Sequence, residues 1–154
     1  MFSVTEDDLT AADVIALLQL HLAGMNEQTP PEHVHALPID RLRAPDVTFL
    51  AARLDGELAA VGAIKDLGDG TGELKSMRAA PHFRGKGAGR AILLALLDLA
   101  RQRGYRWVGL ETGTQAGFAD AHRLYERHGF TDCGAFADYE NNEFSRLMGL
   151  ELRT

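Results

Sequence analysis

Cysteine is scarce in this sequence, and its scarcity excludes two kinds of construction. Cys133 is the single cysteine, so the chain has no internal disulfide and no zinc cluster built from cysteines. His33 and His35 lie two residues apart, but no third ligand follows at a metal-binding spacing. We therefore expect neither a disulfide framework nor a metal site.

Long apolar runs are also missing. No uncharged stretch is long enough to cross a bilayer, and the chain begins with the acidic stretch SVTEDD rather than with a basic-then-apolar leader. With 45% hydrophobic residues in 154 positions, the chain has enough apolar side chains for one core and too few for two. We expect a single domain over residues 1–154, cytoplasmic and without a membrane partner.

The net charge of −6 is unevenly distributed. From Lys75 to Arg106 there are eight lysines and arginines against one acid, so this segment carries +7 and the rest about −13. Arg101 and Arg103 fit a cationic helix end, where they offset the helix dipole. Arginines at the start of that helix oppose the dipole, so we expect an anion between them. The segment is short and has no interleaved aromatic array, so we expect no nucleic-acid partner.

The order of apolar patterns predicts a mixed α/β domain. The proline-rich stretch TPPEHVHALPID is expected to be a loop, and no repeat or interdomain linker interrupts the pattern. The predicted elements are a strand at FSVT, a helix from Asp7 or Asp8, a hairpin of VTFLAARL and ELAAVGAIKDL across Asp55-Gly56, a fourth strand at ELKSMRAA, a helix ending near Gly104, a fifth strand at YRWVGLETG, a helix at FADAHRLYERHG and a final strand at FSRLMGLEL.

Three glycines alternate with other residues in RGKGAGR, residues 84–90, directly before the apolar run AILLALLDLA. An NTPase phosphate loop would need Ser or Thr where Gly87 stands, and a dinucleotide fingerprint would need GxGxxG directly after the first strand. A merely flexible loop does not explain why a helix starts there or why basic residues alternate with the glycines. A pyrophosphate held by backbone N–H groups at a helix N-terminus explains both.

Two motifs resemble one enzyme family. Arg84–Gly89 resembles the (Q/R)xxGx(G/A) acetyl-CoA motif of the GNAT superfamily of N-acetyltransferases, with Pro81 at the usual lead-in position. LYERHGF, Leu124–Phe130, is similar to the family's second cofactor-binding segment, and ELKSMR, LETG, LYERHGF and DY together resemble a bacterial subgroup of small acetyltransferases. The resemblance implies a mixed, mostly antiparallel sheet that splays between its fourth and fifth strands and is flanked by helices.

The resemblance implies that acetyl-CoA is the cofactor and CoA the product. In the family, the pantetheine arm lies along the backbone of the fourth strand, and the pyrophosphate takes N–H groups of the glycine segment, here Lys86–Arg90. Seven residues before Tyr125, where many relatives have an asparagine that touches the cofactor, this chain has Phe118. The implied cofactor-binding residues are Met77, Arg78, Ala79, Arg84, Gly85, Lys86, Gly87, Ala88, Gly89, Arg90 and Phe118.

Catalytic roles are also implied by the resemblance. Glu73 falls where well-studied relatives keep a catalytic glutamate, and we expect it to act as general base through water; the equal alternative is a surface carboxylate paired with Lys75. Tyr125 matches the family tyrosine that protonates the departing thiolate, and its alternative is a buried core aromatic. A backbone N–H near Met77 or Arg78 is expected to polarise the thioester carbonyl.

Strand alternation places the side chains near the acceptor. In a regular strand Glu73, Lys75 and Met77 share one face, whereas Arg78 lies on the other. His35 belongs to a loop that lies over the acceptor side in this fold. Lys75 is expected to point into the acceptor side, with positive charge added nearby by Arg78 and His35, and such a site suits an amine that also carries a carboxylate. The predicted substrate-binding residues are His35, Lys75 and Glu111.

We therefore expect an enzyme that transfers acetyl from acetyl-CoA to the primary amine of a small molecule by direct attack in a ternary complex. The alternative is a non-catalytic acyl-CoA-binding or regulatory domain of the same fold. The presence of both Glu73 and Tyr125 favours the enzyme. Relatives often pair through their C-terminal strands, so a homodimer stays an open expectation.

Overall fold

The computed structural model describes residues 2–28, 39–114, 118–137, 139 and 145–152. They form one seven-stranded sheet flanked by helices. The strands are β1 (Ser3–Glu6), β2 (Val47–Leu54), β3 (Glu57–Asp66), β4 (Thr71–Ala79), β5 (Trp107–Gly113), β6 (Thr131–Asp132) and β7 (Ser145–Glu151), and the helices are α1 (Ala12–Gln28), α2 (Ile39–Leu42), α3 (Ala88–Gln102) and α4 (Ala119–Arg127).

The strand order is β1-β2-β3-β4-β5-β7-β6, and β4 and β5 are the parallel neighbours in an otherwise antiparallel sheet. Their pairing runs only from Thr71 opposite Trp107 to Leu74 opposite Leu110, although both strands continue beyond it. The sheet therefore splays between its fourth and fifth strands. This confirms the predicted fold class.

Local sequence explains the main elements. The predicted hairpin of β2 and β3 is confirmed, and its turn has φ of 51° at Asp55 and 81° at Gly56, the left-handed pair of a two-residue hairpin turn. Helix α3 buries Ile92, Leu93 and Leu96 against β3 and β4, at the spacing of one helix face. Within the described residues, no helix combines the length and apolarity needed to span a membrane.

Two details of the predicted elements differ from the structure. Helix α1 begins at Ala12 rather than at Asp7 or Asp8, because both carboxylates hold a turn before it. The Asp7 carboxylate accepts the N–H of Leu9, and that of Asp8 accepts the N–H and hydroxyl of Thr10. The sequence patterns also did not predict the two-residue strand β6, which is too short to show alternation.

Candidate active site between β4 and β5

A cleft opens where β4 and β5 stop pairing. Side chains from both strands, α1 and α4 line it, together with Tyr139 from the segment before β7. His35, one of the predicted substrate-binding residues, lies outside the described part of the chain. The predicted site residues that do line the cleft are Glu73, Lys75, Met77, Glu111, Phe118 and Tyr125.

The pairing of β3 with β4 changes register at this cleft. Ala63 pairs with Lys75, whereas Val61, two residues away on β3, pairs with Arg78, three residues away on β4. Strand β4 thus has one extra residue here, which is a β-bulge. Ser76 lies in the bulge with a left-handed φ of 56°, and its buried hydroxyl has no hydrogen-bond partner among the described residues.

This bulge reverses the faces of the residues that follow it. Residues two apart on β3 share a face, so Arg78, opposite Val61, lies on the same face as Lys75. Met77 turns to the opposite face, where its Sδ lies 2.6 Å from the position that a Cβ on Gly62 would take. The prediction that Met77 shares a face with Lys75 while Arg78 points away is wrong, because regular alternation does not continue through a bulge.

Glu73 belongs to a buried triangle of hydrogen bonds. Lys75 Nζ donates to Glu73 Oε2 at 2.9 Å and to the Tyr139 hydroxyl oxygen at 2.7 Å, while the Tyr139 hydroxyl donates to the same carboxylate oxygen. The side chains of Glu73 and Lys75 are only 4% and 8% exposed. Glu73 is therefore paired with Lys75, but it is not a surface carboxylate. We call Glu73, Lys75 and Tyr139 the polar triangle.

Tyr139 is a site residue that sequence reasoning did not single out. An aromatic row leads to it: the Trp107 and Phe136 rings lie 5.1 Å apart, and the Phe136 and Tyr139 rings 5.3 Å apart. Trp107 fits because the paired residues beneath it, Gly109 and Gly149, have no side chains. These glycines in the middle of strands were the available signal, since glycine there often marks a close approach by another group.

Tyr125 enters the cleft from α4. Only 5% of its surface is exposed, and its ring lies 5.7 Å from that of Phe130, which follows the helix-ending Gly129. Burial raises the pKa of the Tyr125 phenol above its ordinary value of 10.0. The hydroxyl is therefore protonated at neutral pH and is available as a proton or hydrogen-bond donor.

Two more predicted residues line the side of the cleft formed by β5 and the start of α4. Glu111 is half-buried and accepts a hydrogen bond of 2.6 Å from the Ser145 hydroxyl. The Phe118 ring lies directly against Gly113, at a position where a Cβ on Gly113 would collide with it. Phe118 therefore packs against the end of β5 and closes this end of the cleft with an apolar surface.

The glycine segment forms the start of α3. Gly85 and Gly87 have φ of 75° and 89°, conformations that favour glycine, and the helix begins at Ala88. The N–H of Ala91 is bonded to the carbonyl of Gly87, so the N–H groups of residues 88–90 precede the first intrahelical bond. Lys86 donates its N–H to the Phe83 carbonyl and so has an internal partner.

Three cations belong to the same segment as these N–H groups, which have no partner among the described residues. Arg84, Lys86 and Arg90 are exposed, and within the described ranges none of them forms an ion pair. Positive side chains at a helix N-terminus raise the electrostatic potential that the dipole already makes positive. The segment thus offers backbone donors at residues 88–90 and positive charge, whereas the N–H of Lys86, which was also predicted to bind the pyrophosphate, is already used. Its role as an anion site stays a prediction.

Residues 14–130 match the model of the acetyltransferase (GNAT) family. The chain belongs to this family. It is 47% identical over 152 residues to the N-acetyltransferase YedL of Escherichia coli strain K12. The matched region covers 99% of this chain and 96% of that protein. It is also 36% identical over 99 residues to human N-acetylaspartate synthetase, covering 64% of this chain and 32% of that protein.

A solved structure also supports membership of the GNAT family. The structure described as an acyl-CoA N-acyltransferase from Klebsiella pneumoniae superposes with a TM-score of 0.78 at 34% identity, covering 99% of both chains. The predicted family and the predicted enzyme class, an N-acetyltransferase, are confirmed. GNAT enzymes in general take their acyl group from acetyl-CoA.

Proposed function

We propose that this N-acetyltransferase transfers acetyl from acetyl-CoA to the primary amine of a small molecule that also carries a carboxylate, such as an amino acid. The amine attacks directly in a ternary complex. The observation that carries this proposal is the polar triangle at the base of a cleft that opens beside the backbone of β4. The name of the relative N-acetylaspartate synthetase, whose product is an acetylated amino acid, supports the acceptor class.

The glycine segment fits the pyrophosphate of acetyl-CoA. Its unpaired N–H groups at residues 88–90 and the cations Arg84, Lys86 and Arg90 provide donors and charge, and glycine at 85, 87 and 89 leaves the backbone uncovered. The backbone of residues 77–79 continues β4 past the last pair with β5, so it can pair with a pantetheine amide chain. When bound, acetyl-CoA supplies an activated acetyl thioester.

Strand β4 also supplies the group that polarises the thioester carbonyl. The bulge takes one residue of β4 out of the ladder with β3, which leaves backbone at Ser76 and Met77 without its regular partner. An N–H released in this way and directed into the cleft stabilises negative charge that develops on a carbonyl oxygen. The bulge therefore has a function in the proposed reaction besides its effect on side-chain direction.

Glu73 is the proposed general base. An attacking amine has to lose a proton, and the carboxylate of Glu73 accepts it through a water in the cleft. Lys75 and the Tyr139 hydroxyl each donate to this carboxylate, so they hold it in one orientation. Tyr139 and Lys75 are positioning residues in this account, because they act through Glu73.

Tyr125 is the proposed donor to the departing sulfur. A thiol has an ordinary pKa of about 8.5, below that of a phenol whose pKa is raised by burial. Complete proton transfer from Tyr125 to the thiolate is therefore unfavourable by more than one pKa unit. The Tyr125 hydroxyl stabilises the developing charge mainly by a hydrogen bond. As the C–N bond forms and the C–S bond breaks, Glu73 takes the proton of the amine and passes it to solvent, and solvent protonates the released thiolate.

A screen of acceptors tests the proposed function. Release of CoA from acetyl-CoA is measured with the proteinogenic amino acids, ω-amino acids, simple alkylamines, spermine and a lysine-rich peptide, and products are confirmed by mass spectrometry. We expect amines with a carboxylate to give the highest kcat/KM. Spermine or the lysine-rich peptide as the best acceptor would contradict the proposed acceptor class, and no turnover with any amine would contradict the proposed reaction.

A further inference from the structure

We propose that Arg78 and His21 form a subsite that binds the carboxylate of the acceptor, so that this acid group selects the substrate. The inference rests on the proposed function and adds to it the residues that recognise the acid. It arises from the bulge in β4, which places Arg78 on the same face of the strand as Glu73 and Lys75. We call this the acceptor face. Regular alternation along the sequence would place Arg78 on the other face.

Arg78 is a half-buried cation without a counterion. Among the described residues no carboxylate pairs with its guanidinium, and its Nε is buried without a hydrogen-bond partner. Desolvation, followed by the charge of Arg84, lowers the pKa of Arg78 from its ordinary value. A half-buried guanidinium whose Nε–H lies out of water with no partner among the described residues is an unfavourable arrangement that a bound carboxylate would relieve, because the two groups form paired, charge-assisted hydrogen bonds.

His21 lies beside this guanidinium and lines the cleft from α1. Burial, followed by the charge of Arg78, lowers the pKa of His21 to about 4, so its imidazole is neutral at neutral pH. Its Nδ1 is buried and has no partner among the described residues. A neutral imidazole has one N–H to donate, and a carboxylate that already contacts Arg78 provides an acceptor. One unpartnered polar atom thus belongs to a residue that lines the cleft, and the other belongs to Arg78, which follows the lining residue Met77 in β4 and interacts with His21.

Lys75, the cation that lines the cleft, already has hydrogen-bond partners. Lys75 donates to Glu73 and to Tyr139, so its ammonium is used within the polar triangle. Arg78 and Lys75 lie opposite Val61 and Ala63, which are two residues apart and hence about 7 Å along β3. This spacing suits a molecule whose amine approaches the polar triangle while its carboxylate reaches Arg78.

The first experiment compares each amino acid with its own carboxamide. The ratio of kcat/KM for acid over amide reports recognition of the charge when it is compared between protein variants, because the two compounds differ in amine basicity and this difference cancels in the comparison. We expect a ratio roughly ten to a hundred times larger in the unsubstituted protein than in Arg78→Met, because hydrogen bonds to charged groups are about twice as strong as neutral ones. Arg78→Lys should give an intermediate ratio.

Two controls keep this experiment decisive. Arg41→Met removes an exposed arginine of α2 and should leave the ratio unchanged. The KM for acetyl-CoA is measured in every variant, because Arg84 lies near enough to influence Arg78. A ratio unaffected by Arg78→Met, or a loss in Arg78→Met that appears only in the KM for acetyl-CoA, would overturn the subsite.

A second measurement does not need turnover. Imidazole NMR signals of the CoA-bound protein, with His21 assigned through His21→Asn, are followed during addition of N-acetylglycine or N-acetylglycinamide. We expect saturable changes of the His21 signal with the acid only, and their loss in Arg78→Met. No response to the acid overturns the subsite even if amines are acetylated. A response without any turnover supports the subsite and instead contradicts the proposed acetyl transfer.

Discussion

The glycine segment and the acceptor face of β4 handle charge in opposite ways. The segment at residues 84–90 presents exposed cations and, at residues 88–90, N–H groups that have no partner among the described residues. On the acceptor face the charges are buried, and Glu73 and Lys75 satisfy one another together with Tyr139. Cofactor binding as proposed is therefore expected to tolerate removal of one side chain but not a group that covers the backbone, whereas the proposed chemistry on the acceptor face is expected to depend on single side chains.

The largest expected effect tests the acceptor face. Glu73→Gln keeps the size of the side chain but removes the base, so we expect kcat to fall by about 10² to 10⁴ near neutral pH. Part of the activity should return at higher pH, where more of the amine is already deprotonated. Steady-state kinetics over a pH series measure this, and Glu57→Gln, an exposed carboxylate on β3, is the matched control.

Glu73→Gln also leaves the buried ammonium of Lys75 without its anion, which typically lowers the free energy of unfolding by about 3–5 kcal/mol. The double variant Glu73→Gln/Lys75→Met removes this charge and should recover most of the stability, measured by denaturant unfolding. It should recover none of the activity. A double variant as active as the unsubstituted enzyme would show that Glu73 is a structural group only.

Next in size is the effect of removing the Tyr125 hydroxyl. Tyr125→Phe keeps the buried ring, so folding and acetyl-CoA affinity should change little while kcat falls by about 10², the lower end of the range for a positioned acid. Because burial raises the pKa of this phenol above 10.0, its ionisation should cause no loss of activity below pH 10. A fully active Tyr125→Phe would remove Tyr125 from the mechanism.

The glycine segment is tested with a substitution that its fold accepts. A Cβ at Gly89 would lie 3.6 Å from Leu124, an ordinary contact, so Gly89→Ala should fold normally. The added methyl covers backbone that a pyrophosphate approaches, and we expect about tenfold weaker acetyl-CoA binding by calorimetry. Gly134→Ala, where a Cβ meets nothing within 4 Å, is the control. Equal acetyl-CoA affinities in the two variants would contradict the placement of the pyrophosphate at this segment.

Gly87→Val should obstruct the pyrophosphate more severely than Gly89→Ala, because it adds a branched side chain. It also strains the backbone, since Gly87 has a φ of 89°. Acetyl-CoA affinity in this variant is interpreted only alongside its melting temperature. Undiminished affinity in a folded Gly87→Val would contradict the placement of the cofactor.

The smallest expected effect concerns Tyr139. Tyr139→Phe removes one of the two donors to Glu73 but leaves Lys75 in place, so we expect kcat to fall about three- to tenfold, equivalent to a typical net hydrogen bond of about 1 kcal/mol. Steady-state kinetics measure this change. An unchanged rate would show that Tyr139 only fills space.

Sequence reasoning succeeded where a pattern is local. Alternation and helical spacing predicted the order of the main strands and helices, and the family motifs predicted the splayed sheet. It failed where geometry departs from the pattern without a glycine to indicate it. Ser76 adopts a left-handed φ that its residue type does not reveal, and the resulting bulge moved Arg78 and Met77 to unexpected faces.

The polar triangle was beyond sequence reasoning for a different reason. Tyr139 reaches Glu73 across 66 residues of chain, and only the packing of Trp107 and Phe136 over bare glycines brings it there. Helix α1 began later than predicted because Asp7 and Asp8 accept hydrogen bonds in a preceding turn. Side-chain partners of this kind compete with the helix and are not visible in apolar periodicity.

The position of β7 has a consequence for how the protein is made. This last strand lies between β5 and β6, so β5 presents an open edge to its surroundings until β7 has left the ribosome. The glycine segment and α3 are synthesised well before that moment, whereas Tyr139 emerges only just ahead of β7. A growing chain thus holds the segment proposed to bind the cofactor before it can complete the polar triangle, so the group proposed for catalysis is completed last.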